Sequence, residues 1–205
     1  VADRRKLPRA FYDRPALEVA RALIGKVLVH RARVLTAGVI VEVEAYIGES
    51  DPACHAAPGR TARNAPLYGP PGHAYVYLNY GLHQLFNVVV EAEGRPAAIL
   101  VRALAPLEGV EHMRRRRGVR GDDDRLCSGP GNLTRAMGIT LADNRRALTG
   151  DRLFLEDRKL GPMKGAWSTR IGIRVGTDRA WRCYVPGNPS VSGPPALNAS
   201  PGAAR

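Results

Sequence analysis

The strongest constraint on this chain is a succession of short Val- and Ile-rich runs separated by few turn residues. Residues 26–33, 38–46, 73–79, 84–91 and 97–103 follow one another as strand-like segments, and 151–156, 168–175 and 180–185 repeat the pattern later. Branched side chains are stiff at χ1 and pack well on a pleated surface. Strands joined by short turns pair antiparallel, because a parallel pair needs a crossover of a dozen or more residues. The pattern predicts an α+β domain built on a mostly antiparallel sheet. At 205 residues the chain makes one domain, large enough to bury its own core without a disulfide or metal staple.

Helices are predicted over 14–24, with Asp13 as N-cap, Pro15 in the first turn and Gly25 as the stop. Two more are predicted over 107–117 and from Ser128 through Met137, ended by Gly138. Residues 47–72 hold many Gly, Pro, Ala and Asn with no apolar period. That is a long loop, and such loops inside a compact domain usually carry function. Residues 193–205 offer little to bury and read as a disordered tail, leaving 1–192 as the domain, its first residues flexible.

Charge narrows the partner. The net charge is +12, and only Lys6, Lys26, Lys159 and Lys164 are lysines, so 27 of the 31 basic residues are arginine. A polyanion such as nucleic acid fits this excess; so does a solubilising surface rich in arginine. Cys54, Cys127 and Cys183 are odd in number and widely spaced, which argues against a disulfide framework or zinc cluster and suits a reducing compartment. No run approaches the length needed to span a bilayer, and the charged first nine residues do not resemble a secretory signal.

In Val41-Glu42-Val43-Glu44-Ala45-Tyr46, period-2 alternation sends Val41 and Val43 to one face and Glu42, Glu44 and Tyr46 to the other. This describes either a half-buried strand with a solvated acidic face or a carboxylate placed beside a pocket, able to take a proton from water. Tyr75-Val76-Tyr77-Leu78-Asn79-Tyr80-Gly81 gathers three of the seven tyrosines. Tyr75 and Tyr77 share a face; Tyr80 falls at the turn, either folded back onto the sheet or free to unstack a base step. His55, Arg63 and Asn64 lie in the long loop, where a lone histidine is most simply a hydrogen-bonded structural residue; no metal-ligand spacing completes a site. The basic run 114–117 is followed by acidic residues 122–124 and reads as a solvated helix face. Ser128-Gly129-Pro130-Gly131-Asn132 can open a helix whose free N–H groups meet a phosphate, although it is not a P-loop.

Taken together, Val41-Glu-Val-Glu-Ala-Tyr46, His55, Arg63-Asn64, the 75–81 tyrosine run, Asn87, the 100–109 segment, Leu126-Cys-Ser-Gly-Pro-Gly131 and Tyr184-Val185 resemble the alkyladenine (3-methyladenine) DNA glycosylase family, in order and with similar spacing. The resemblance implies a single domain with a curved, open-barrel-like sheet flanked by helices and a protruding hairpin carrying Tyr80. It implies a monofunctional glycosylase that flips alkylated or deaminated purines from duplex DNA and hydrolyses the glycosidic bond. By the same resemblance Glu44 is the general base, with Arg102 and the Ile171 carbonyl holding the water. Tyr46, His55 and Tyr77 hold the flipped base, and Asn87 clashes with the 2-amino group of guanine. Tyr80 intercalates with Leu82 beside it, where the mammalian member has methionine; Arg63, Asn64 and Gly131 meet the DNA backbone. No cofactor or metal is expected. The expected partner is lesion-bearing double-stranded DNA, bound by a monomer without membrane association in the bacterial cytoplasm or nucleoid. A non-catalytic DNA- or RNA-binding module is the alternative, and a nucleobase deaminase is disfavoured by missing zinc ligands.

Overall fold

The computed structural model describes residues 5–194, so most of the predicted tail lies outside the described residues. In chain order the elements are β1 (Arg5–Lys6), α1 (Arg9–Tyr12), α2 (Ala16–Leu23), β2 (Val27–Arg31), β3 (Leu35–Ile47), β4 (Ala74–Asn79), β5 (His83–Val89), β6 (Ala97–Glu108), α3 (Val110–Arg117), α4 (Pro130–Met137), β7 (Leu153–Asp157), β8 (Ala166–Ser168) and β9 (Arg182–Tyr184). The described strands form one antiparallel sheet in the order β1-β7-β2-β3-β6-β5-β4, with β9 pairing β3 and β8 pairing β9. This is the α+β domain with the mostly antiparallel sheet that the strand pattern predicts.

The expected open-barrel curvature is corrected: the sheet is neither closed nor strongly curled. Closure would require edge strands β1 and β4 to meet. β1 has two residues and pairs only β7. The free edge of β4 is already covered: Ala74 N–H donates to the Arg146 carbonyl, Arg145 N–H to the Ala74 carbonyl, and Val76 N–H to Asn144 Oδ1. A covered edge has no unpaired groups left to recruit another strand.

Helix α2 buries Ala16, Val19, Ala20 and Leu23, the i, i+3, i+4, i+7 stripe, against β3 and β6. It begins two residues later than predicted. Pro15 disfavours helical backbone at Arg14, and the N-cap is Pro15, not Asp13. The Ala16 N–H is satisfied from a distance by Glu91 Oε1 at 3.0 Å. Helix α3 also starts late, since β6 continues through Glu108 and ends at Gly109 (φ 73°). A Cβ at Gly109 would sit 2.3 Å from the Leu35 carbonyl oxygen, so no other residue fits. The basic run at the end of α3 is only partly a solvated face. Arg114 pairs with Asp123, while Arg116 and Arg117 donate to the carbonyls of Ala136 and Leu126.

Two late strands are shorter than predicted. Residues 169–175 do not form strand, because the backbone turns at Gly172 (φ 78°) and Gly176 (φ 61°) and the Ile171 N–H binds a side chain instead of a ladder partner.

The alternation in β3 is broken where it matters most. In the β3–β6 register Ile40 faces Leu104, Glu42 faces Ala103, and Val43 faces Val101. Val41 and Arg102 are therefore left unmatched, one in each strand. Such bulges flip side-chain parity and re-aim side chains. Ile40 and Val43 consequently share the main core with Val101 and Leu104, while Val41 packs in a separate cluster with Ala103, Tyr184 and Val191. The predicted common face of Val41 and Val43 does not exist. What the irregularity produces is a single face carrying Glu42, Glu44, Tyr46 and Arg102.

Candidate active site

Glu42 and Glu44 are fully buried, which rules out a solvated acidic face. An ionised carboxylate is tolerated there only with charge-assisted partners. Glu44 Oε1 accepts the Ile171 N–H at 2.6 Å; Oε2 accepts the Tyr46 hydroxyl at 2.9 Å and Arg102 Nη1 at 3.3 Å. Glu42 accepts Arg102 Nε at 3.0 Å, Arg182 Nε at 2.7 Å and the Ser192 N–H at 2.7 Å. Burial works against the charged Arg102 guanidinium, but Glu44 and Glu42 outweigh it and hold its pKa above the ordinary value. Burial, reinforced by Glu44, pushes the Tyr46 phenol far upward, so it stays a neutral donor.

These partners form one end of a cavity of about 390 Å³. Tyr46, Arg102 and Ile171, which hold the Glu44 carboxylate, all line it. Tyr77, His55, Tyr75, Asn87, Cys54 and Leu100 complete most of the wall, and Tyr80 stands at its rim. The His55 and Tyr77 ring centroids are 4.4 Å apart, edge to face, and Tyr75 and Tyr77 lie 5.3 Å apart. His55 Nδ1 is 2.9 Å from the Tyr75 hydroxyl. Burial and then Arg63 lower the His55 pKa, keeping the imidazole neutral. Tyr77 is raised by burial, and Tyr75 is pushed up by burial to about 12. Asn87 donates to the Tyr75 carbonyl at 3.1 Å, which fixes its amide against the cavity. The long loop 47–72 delivers Ala53, Cys54, His55 and Leu67 to this wall.

At the β4–β5 turn, the Leu82 N–H donates to the Asn79 carbonyl at 3.0 Å across Tyr80 (φ 48°) and Gly81 (φ 71°). Two left-handed central residues are the signature of a type I′ hairpin, which usually places Asn or Gly first. Tyrosine there costs roughly 1–2 kcal/mol. Its side chain recovers nothing by packing: Tyr80 is 88% and Leu82 78% exposed. Tyr80 is not folded back onto the sheet.

Among the remaining predicted residues, Arg63 is exposed and reaches the Leu78 carbonyl at 3.4 Å. Gly131 lies in the first turn of α4, where a Cβ would come within 3.0 Å of the His83 ring. Asn64 corrects its prediction. It is 2% exposed, its amide donates to the His55 and Gly59 carbonyls, and its Oδ1 accepts the Thr61 N–H. This side chain shapes the loop that presents His55 and is not turned toward a phosphate. The Ile171 N–H binds Glu44, and Ile171, whose carbonyl is the predicted water-holding atom, lines the cavity.

Sequence reasoning missed the scaffold behind the site: Glu42, Asp51, Arg170, Arg182 and Ser192. Only the parity of Glu42 with Glu44 hinted at any of them. Arg170 forms a bidentate pair with Asp51 at 2.6 and 2.8 Å, both side chains fully buried.

A buried carboxylate held by residues that line an aromatic-walled cavity, beside an exposed hairpin tip on a basic protein, fits a class of site that handles a base outside the helix stack. The methylpurine-DNA glycosylase family model matches residues 10–189, and the chain belongs to this family. Relatives agree along nearly the full length. A protein of Chlorobium phaeobacteroides is 48% identical over 191 residues, covering 92% of this chain and 96% of the relative. One from Burkholderia lata is 49% identical, covering 92% and 91%. One from Methanocella arvoryzae is 50% identical over 196 residues, covering 91% and 95%. All three names assign them, provisionally, as 3-methyladenine DNA glycosylases.

Proposed function

We propose that this protein is a 3-methyladenine-type DNA glycosylase of base excision repair, in which Glu44 activates the water that hydrolyses the glycosidic bond. The observation that carries the reading is the Glu44 carboxylate, fully buried and held by three donors that themselves line the cavity. A carboxylate offers about four acceptor positions, so three donors leave one for a water.

Arginines draw the protein onto duplex DNA, and Tyr80 with Leu82 enters the stack at the lesion. Flipping costs a few kcal/mol, least for bases that pair badly. The extruded purine enters the cavity between Tyr46, Tyr77 and His55. A cationic alkylpurine gains about 0.5–2 kcal/mol from the aromatic faces, and a neutral His55 adds no repulsion. Asn87, fixed by its own hydrogen bond, excludes a 2-amino substituent on a normal guanine. Glu44 takes a proton from the water, whose oxygen bonds to C1′ as the C1′–N bond breaks. The bond electrons leave with the purine, which is already electron-poor when alkylated, and an abasic site remains. Arg102 and the Ile171 peptide hold the reacting water, and Arg63 and the Gly131 turn lie against the DNA backbone.

Duplex DNA carrying methylated purines, incubated with the protein and then treated with alkali, tests this. Strand breaks at the lesions are expected with wild type and at least about 100-fold more slowly with Glu44→Gln. Undiminished release by Glu44→Gln refutes the mechanism.

A further inference from the structure

Three donors hold Glu44, and two of them depend on one buried arginine that touches neither Glu44 nor the cavity. Ile171, whose N–H binds Oε1, follows Arg170 directly in a stretch that no strand partner holds between Ser168 and Arg182. The Arg170 guanidinium also lies 4.7 Å from the centroid of the Tyr46 ring, whose hydroxyl binds Oε2, and its Nη1 donates to the Ala45 carbonyl at 3.0 Å. Trp181 packs on the same guanidinium at 5.1 Å, and Nη2 reaches the Gly176 carbonyl at 3.3 Å. Arg170 is in turn held by Asp51, which also accepts the Ile47 and Ala53 N–H groups and so ties in the start of the loop that carries His55.

We infer that the Asp51–Arg170 pair is a positioning device for the water-activating carboxylate, setting the Ile171 N–H and the Tyr46 hydroxyl on Glu44 without itself touching substrate. The inference rests on the role proposed for Glu44. Its geometry separates it from a generic core ion pair. A planar fork bonded end-on to a carboxylate, through each Nη to a separate carbonyl, and stacked on two rings fixes the Arg170 guanidinium even though its buried Nε has no hydrogen-bond partner. The peptide that follows inherits that placement. Its loss leaves the aromatic cavity standing and releases the carboxylate.

The test separates base extrusion from bond cleavage in Asp51→Asn and Arg170→Lys, after thermal unfolding confirms that each folds. Arg170→Lys keeps the buried positive charge but cannot fork. Affinity for lesion duplex, and fluorescence of a 2-aminopurine placed beside the lesion, read capture and extrusion; single-turnover release at saturating enzyme reads cleavage. Cleavage is expected to fall about 10- to 100-fold, the scale of a small misplacement of a catalytic group, with affinity and extrusion within about 3-fold of wild type. Cleavage within 2-fold of wild type in a folded variant overturns the inference. So do affinity and extrusion falling as far as cleavage, which would make the pair mere support for the pocket. Glu44→Gln is measured in parallel. If it cleaves normally, the proposed function fails; if it is inactive while both pair variants cleave normally, only this inference falls.

Discussion

The β3–β6 centre and the β4–β5 tip are built on opposite principles. At the centre, bulges bring Arg102 to Glu42 and Glu44, β9 adds Arg182, all four are buried, and nearly every polar atom has a partner inside the protein. At the tip, Tyr80 is strained and exposed, with Leu82 beside it and no partner of its own. A buried charge cluster is intelligible from the protein alone, because its alternatives are worse. An exposed aromatic on a left-handed backbone is not, and it makes sense only with something to enter. On the proposed function, the difference teaches where each half of the task resides: the water-activating group is held in place before DNA arrives, and the element assigned to open DNA is left unsatisfied until then.

Four experiments test that contrast. The largest effect is expected for Glu44→Gln, with excision lowered about 100-fold or more and lesion binding retained; the measurement is single-turnover release beside duplex affinity. Next, Glu42→Ala should lower unfolding free energy by about 3–5 kcal/mol in denaturant titrations, since it removes the carboxylate shared by two buried guanidinium groups. A loss under 1 kcal/mol would show that the centre does not depend on its internal pairs.

Third comes the support of the hairpin edge. Burial opposes ionisation of Asp143, but His30 and the Thr140 N–H outweigh it and lower its pKa to about 2. A carboxylate depressed in the folded state contributes stability that is present above its unfolded pKa and lost as pH falls through the folded one. Between about pH 4 and pH 2 wild type should therefore lose about 2 kcal/mol that Asp143→Asn does not lose, read as the difference between acid unfolding curves. Parallel curves would remove Asp143 from the supports of β4. The smallest effect is expected for Tyr80→Ser, with lesion capture weakened about tenfold while the melting temperature holds within a degree or two. A melting temperature falling in step with activity would make the tip part of the core and dissolve the contrast.

Much of this was legible in order along the chain. The strand succession, the α2 stripe, the Tyr80-Gly81 turn and the Glu44 motif all stand in the predicted order, although element ends shift by several residues, with β6 running on to Glu108. These are local properties, written in spacings of two and of three to four residues. The failures are equally specific. The bulges at Val41 and Arg102 cannot be seen in one strand, because a register shift is a relation between two. Asn64, which the resemblance puts at the DNA backbone, is buried because the loop closes around it. Residues 169–175 have strand composition, yet the Ile171 N–H binds the Glu44 side chain and the backbone turns at Gly172.

By itself the sequence determined which segments extend or coil, how basic the surface is, and which residue types are on hand for hydrolysis. It took the assembled fold to bury Glu42 and Glu44, to bring Ser192 to Glu42 from 150 residues away, and to pair Asp51 with Arg170 across 119 residues. The reason is physical: backbone preference is settled among near neighbours, whereas the cost of burying a charge depends on what the rest of the fold brings within reach.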